Sequence, residues 1–238
     1  MKTILFDLDG TLLPMSLEHF TKNYCKQLSI FFADLIDGKH LITHVLSATN
    51  AMLHNQENRR NEEVFIEHLA ALIPGDINVY IERFSSFYDS AFLNLQEILP
   101  PHPQIAATIK MLKEKNYQLV VATNPIFPIK ANVHRIHWAG LEATDFSYIS
   151  SFENNCYCKP NPAYFREVLT SINELPENCL MVGNDVQEDL AARKLGIKTY
   201  LIDDHMIHRG GEIVTDYRGS YTDFFDFAAK LPPVPSSI

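Results

Sequence analysis

Hydrophobic positions along the chain fall into two rhythms. Short, nearly unbroken apolar runs occur at residues 3–8, 118–123, 179–183 and 198–202, with a weaker one at 148–151. Such runs predict strands buried on both faces. Between them, residues 103–115, 128–139, 161–173 and 186–195 carry helical patterns. Buried strands alternating with helices predict an α/β domain built on a doubly wound parallel sheet.

The stretch between the first two strands behaves differently. Apolar residues at 17, 20, 24, 28, 31 and 35 are spaced by threes and fours, one stripe on one long helix. The rhythm recurs at Leu41, Val45, Ala48 and Met52, and at Ile77, Tyr80, Phe84, Tyr88, Ala91 and Leu95. A shorter piece runs over 62–72, with Asn61 as N-cap and Pro74-Gly75 as its stop. A crossover between neighbouring parallel strands needs about a dozen residues, so this long strand-free stretch predicts an inserted all-helical domain. Gly10 and Pro14 mark its exit and the run Pro100-Pro101-His102-Pro103 its return. The expected division is a core of 1–14 plus 99–231, a helical insert of 15–98 that moves as a hinged lid, and a loose tail at 232–238.

Composition narrows the partners. The 238 residues carry 29 Asp+Glu against 20 Lys+Arg, a net charge of −9. An acidic chain is ill suited to gripping nucleic acid or an anionic membrane through bulk charge. The insert is itself acidic, with six Lys/Arg against ten Asp/Glu between residues 15 and 95. No segment approaches the length of a membrane span, and the N-terminal apolar run is too short for a signal-peptide core. Four cysteines, of which only Cys156 and Cys158 are close, do not make a disulfide framework. The expectation is a cytoplasmic protein with reduced thiols, no membrane or nucleic-acid partner, and no predicted oligomeric state.

Candidate chemistry gathers at the strand ends. Asp7-Leu8-Asp9-Gly10-Thr11 closes the first strand, where ligands of open α/β sheets bind. Two carboxylates two residues apart suit a nucleophile beside an acid/base, or two metal-directed groups. The second strand ends in Thr123-Asn124, placing a hydroxyl and amides at the same edge. Lys159 follows a loop and precedes Pro160; a cation there neutralises a phosphoryl oxygen or holds the first carboxylate ionised. The next buried strand ends in Gly183-Asn184-Asp185, with Asp189 four residues further on and able to share a face with Asp185. Hard oxygen donors without nearby His or Cys point to Mg²⁺ rather than zinc.

This ordered set, Asp7-x-Asp9-x-Thr11, Thr123, Lys159 and Gly183-Asn184-Asp185 with Asp189, resembles the haloacid dehalogenase (HAD) superfamily over nearly the whole chain, and the insert resembles its helical C1 cap. The resemblance implies a Rossmann-like sheet of order 5-4-1-2-3 with the cap closing over the site. It makes Asp7 the nucleophile that becomes an aspartyl-phosphate, and Asp9 the group that protonates the leaving group and then activates water. Thr123, Asn124 and Lys159 bind the phosphoryl group, while the Asp7 carboxylate, the Asp9 carbonyl and the fourth-motif acids hold Mg²⁺. One departure stands out: where the superfamily's commonest fourth motif has Asp after Gly, this chain has Asn184. Either Asn184 ligates through its amide oxygen or Asp185 is the inner ligand; Asp185 is favoured, with Asp189 behind it or on Lys159.

In the resembling families an Asp two residues after the nucleophile favours phosphate-ester hydrolysis over carbon–halogen or phosphonate cleavage. The implied activity is Mg²⁺-dependent hydrolysis of a small phosphorylated metabolite. A phosphomutase on the same scaffold and a catalytically silent HAD-fold binding or regulatory protein are the alternatives. His19, Lys22, Lys26, Asn50 and Arg59 are candidates to touch substrate, and Ile126, Phe127 and Pro128 to shape the pocket mouth. The pairs His40/His44 and His134/His137 lack a third ligand and read as surface or packing residues.

Overall fold

The computed structural model describes residues 1–235. Strand β1 (Thr3–Phe6) is central, paired in parallel with β2 (Gln118–Val121) on one side and β4 (Cys179–Gly183) on the other. β3 (Tyr148–Ile149) extends the sheet beyond β2, and β5 (Lys198–Ile202) beyond β4. These five strands keep the expected order. A sixth, β6 (Tyr217–Gly219), pairs in parallel with Tyr200–Ile202 and makes the full order β3-β2-β1-β4-β5-β6. The sequence does not announce β6, because Tyr-Arg-Gly is short, largely exposed and held by its neighbour rather than by an apolar run.

Alternation along the strands divides the core. Ile4 and Phe6 of β1 face the layer containing α5 (Pro103–Glu114), α6 (Ile129–Trp138) and α8 (Tyr221–Lys230). Leu5 faces α7 (Pro162–Ser171) and the 3-10 segment Leu190–Leu195. The pattern at 186–195 predicts a full helix, but only its second half winds. The Asp185 carboxylate accepts the N–H groups of Gln187 and Glu188 and fixes a turn there instead. The C-terminal segment is tied down as far as it is described. Val234 N–H donates to Lys115 O at 2.8 Å and the Tyr117 hydroxyl to Pro232 O at 2.8 Å. The rest of the expected loose tail, 236–238, lies outside the described residues.

The insert is helical throughout: α1 (Leu17–Phe31), α2 (Gly38–Leu53), α3 (Asn61–Ala70), α4 (Ile77–Tyr88) and a 3-10 segment, Ala91–Ile98. The expected single helix through Leu95 breaks after Tyr88, yet Phe92 and Leu95 remain buried. The apolar stripe therefore survives a change of helix type. Asn61 is not the N-cap of α3. Arg60 holds that position, and the wholly buried Asn61 amide donates to Pro125 O (3.1 Å) and Cys158 Sγ (3.3 Å) of the core. No helix of the described residues is long and apolar enough to cross a membrane.

Candidate active site

The parallel register sets the site. Phe6 lies level with Val121 and Val182, so the next residue of each strand emerges at one carboxyl edge. Asp7 is the residue after Phe6; its N–H still donates to Val182 O, and the side chain is almost buried. Beyond it the chain turns sharply at Gly10, whose φ of 85° is one that side-chain-bearing residues rarely adopt. A Cβ there would collide with the Asn184 amide packed above it. Tyr221, at the start of α8, donates its hydroxyl to Gly10 O at 2.8 Å and holds the turn from below the cleft.

Lys159 is the electrostatic centre. Its ammonium is buried and donates to Asp7 Oδ1 and Asp189 Oδ1, each at 2.7 Å. Burial alone would pull this ammonium's pKa down; Asp189 and Asp7 together outweigh it and raise the pKa well above the usual lysine value. Asn124 ties the neighbouring loops together, accepting Lys159 N–H on Oδ1 and donating from Nδ2 to Glu188 Oε2 at 3.0 Å. The Thr123 carbonyl accepts the hydroxyls of Ser150 (2.7 Å) and Tyr164 (2.8 Å), which fixes the backbone that presents the Thr123 side chain.

Asp9 sits in a different environment. One carboxylate oxygen, Oδ2, accepts from Arg135 of α6, while Oδ1 is buried with no hydrogen-bond partner. Burial is the main force raising the Asp9 pKa; Arg135 opposes it and Asp7 reinforces it. Arg135 is itself wholly buried. Its guanidinium also donates to Asn132 Oδ1 and lies over the rings of Phe127 (4.3 Å) and Phe20 (5.9 Å). Sequence reading missed it. The available signal was two polar residues, Asn132 and Arg135, on the otherwise apolar buried face of α6.

The fourth-motif residues divide their work. Asp189 Oδ2 accepts Asp185 N–H and its other oxygen holds Lys159, so it is a structural anchor for the cation. Gly183 leaves the space for it, since a Cβ at that position would meet the Asp189 carboxylate. Asn184 accepts the Thr11 hydroxyl at 3.1 Å and donates to His205 O at 2.6 Å. Asp185 is held by loop amides and by Arg209 (2.8 Å), a second arginine that sequence reading missed. Among the described residues no three His, Cys, Asp or Glu side chains are gathered as a ready metal cluster. The donor chemistry nevertheless suits a hard cation. Asp7, the Asp9 carbonyl, Asn184 and Asp185 offer oxygen donors, and Asn184 packs on the Gly10 turn, accepts the Thr11 hydroxyl and shares the cleft with Asp9. Mg²⁺ commonly takes only one or two carboxylates and keeps several waters.

An open cleft of about 800 Å³ lies over Asp9, walled by Ser16, Leu17 and Lys22 of the insert's leading edge and by Asn184 and Arg209 of the core. Of the five insert residues singled out from sequence as substrate candidates, Lys22 alone lines this cleft. Arg59 faces Glu57, Glu63 and Glu67 in a surface cluster, and His19 bonds Asn23 within α1. Ile126, Phe127 and Pro128 do not line this cleft; they line a neighbouring cavity.

Comparison with known proteins gives the family. Residues 1–196 match the family model described as haloacid dehalogenase-like hydrolase. Among curated relatives, pyrophosphatase PpaX of Anoxybacillus flavithermus is 26% identical over 208 residues, covering 84% of this chain and 82% of its own. Phosphoglycolate phosphatase of Aquifex aeolicus is 26% identical over 208 residues, covering 84% of both. The crystal structure of a HAD phosphatase from Thermococcus onnurineus superposes with a TM-score of 0.63 at 19% identity, over 98% of this chain and 100% of that one. The chain belongs to the haloacid dehalogenase-like hydrolases.

Proposed function

We propose that this hydrolase cleaves phosphate monoesters through a phosphorylated Asp7. The observation that carries the reading is Asp9: a second carboxylate two residues from Asp7, with one oxygen fixed by Arg135 and the other buried and unpartnered. That free oxygen suits proton transfer to a leaving group, and burial favours its protonated form. Asp7 attacks phosphorus, the P–O ester bond breaks, and the departing alkoxide takes the Asp9 proton. Asp9, now ionised, accepts a proton from the water that attacks the aspartyl-phosphate. The sum is one ester and one water giving one alcohol and one phosphate.

Lys159 and the Thr123 side chain receive the phosphoryl oxygens, with Asn124 holding the loop between them. Mg²⁺, when bound by the Asp7 carboxylate, the Asp9 carbonyl and the Asn184/Asp185 pair, neutralises phosphoryl charge. Asp185 would hold the cation only by giving up its pairing with Arg209. The helical insert, 15–98, is the cap over a core of 1–14 and 99–231, and its closing over the open cleft would exclude bulk water. Three buried thiols and a half-buried Cys25, all free, suit a reducing cytoplasm.

The test is phosphate release from p-nitrophenyl phosphate with Mg²⁺. Wild-type protein is expected to turn over and Asp7→Asn to fall to background. Activity that survives Asp7→Asn, or that is undiminished in EDTA, sinks the mechanism.

A further inference from the structure

The rings that carry Arg135 also line a second cavity. It encloses about 460 Å³ between the insert and the 126–130 loop, within the usual range for small-molecule sites. Its walls are mainly apolar and aromatic, with Phe20, Val45, Phe65, Phe84, Ile126 and Phe127 among them. Most of the polar groups at its walls are already engaged. The Tyr24 and Tyr88 hydroxyls pair with each other at 3.0 Å, and Thr49 donates to Val45 O within its own helix. Lys130 is held by Asp89 and Ser85, and both Glu153 oxygens accept the Ile129 N–H at the start of α6. Thr21 and Glu62 are the oxygen-bearing exceptions among the described residues.

A sugar or carboxylate entering this chamber would give up its hydrogen bonds to water and find few in return. An alkyl or aryl group would lose nothing and gain burial. The chamber neighbours the cleft over Asp9: Leu17 and Thr21 of α1 wall both, and Phe127 on the chamber wall lies against Arg135, which holds Asp9. We propose that the chamber receives the apolar alcohol portion of the substrate, a phosphate monoester of a hydrophobic alcohol whose phosphoryl group lies at Asp7. This rests on the hydrolytic reading above. It sets the chain apart from relatives named for pyrophosphate and phosphoglycolate, both small and anionic.

A series of n-alkyl phosphates from methyl to octyl tests it, with kcat/KM read as phosphate release in Mg²⁺. Each methylene is expected to raise kcat/KM about 3–4-fold until the chamber fills. A flat series overturns the proposal while leaving phosphate-ester hydrolysis intact. Ile42→Trp and Ile66→Trp, which add bulk at half-buried positions of the chamber wall, are expected to collapse the octyl-to-methyl ratio about tenfold or more. The ratio is taken within one preparation, so partial misfolding lowers both members alike; a ratio retained in both variants also overturns the proposal. Non-hydrolysable n-alkyl phosphonates, followed by calorimetry, separate the two readings. If no ester turns over but phosphonate affinity still climbs with chain length, hydrolysis fails and the chamber stands. If affinity is flat as well, both fall.

Discussion

At the scale of single residues, two buried cations carry the site. Arg135 fixes Asp9 through one oxygen and leaves the other without a partner, as the proposed proton transfer requires. Arg135→Met is expected to lower kcat by about 10²-fold, the cost of a modest misplacement of a reacting group, with KM little changed. Arg135→Lys should recover part of that loss, since the charge returns without the planar fork. A loss expressed equally in KM would place Arg135 in substrate binding instead. Lys159 separates two carboxylates, Asp7 and Asp189. Lys159→Met leaves them buried without their cation, and a destabilisation of about 3–5 kcal/mol is expected in urea unfolding at neutral pH. The sign of its pH dependence follows. Burial already raises the Asp189 carboxyl and Lys159 opposes that. Without the cation, folded Asp189 binds its proton more tightly than unfolded Asp189, so the variant's deficit should shrink as pH is lowered from 8 towards 5.5. A deficit that grows over that interval would contradict the pairing described. These two cations were not equally legible. Lys159 precedes a proline at a loop end, where a cation stands out, whereas Arg135 sits inside an amphipathic helix and has meaning only through tertiary contacts with Asp9 and Phe127.

At the scale of elements, local patterning reported what burial enforces and missed what neighbours impose. β1, β2, β4 and β5 were readable because each is covered on both faces. β6 and the broken helix after Tyr88 were not, since one depends on the edge of β5 and the other changes helix type without changing its apolar face. The start of α3 shows the same limit. Asn61 has the chemistry of a cap, yet its side chain crosses to Pro125 and Cys158 and fastens the insert to the loop after Thr123-Asn124. Asn55 makes a second such bond, to Cys156 O at 2.8 Å. Asn61→Leu removes the donor and leaves the Pro125 carbonyl without it, so a loss of about 1–3 kcal/mol is expected. Hydrogen exchange should quicken around residues 55–62 and 124–127 before the sheet is affected. Unchanged exchange there would show that the aromatic contacts, Phe65 on Phe152 and Tyr24 on Phe127, hold the insert unaided.

At the scale of the whole molecule, the net charge of −9 has to be reconciled with an anionic substrate. The site does not escape it. Among the described residues, Asp7, Asp9, Asp185, Glu188 and Asp189 are paired with three cations, Arg135, Lys159 and Arg209, and the exposed Lys22 stands at the cleft wall. A dianionic phosphate approaching this cluster without a metal meets net negative charge from carboxylates that are mostly buried, where screening is weak. A divalent cation among the oxygen donors reverses that sign locally, whatever the sign of the remaining surface. Inorganic phosphate should therefore bind at least about tenfold more weakly in EDTA than in millimolar Mg²⁺, as measured by calorimetry. Raising salt should weaken the Mg²⁺-dependent component little, because the charges that create it are buried. Equal phosphate affinity with and without the cation would mean that Lys159 and its neighbours neutralise the anion on their own, and the Mg²⁺ assignment would fall with that result.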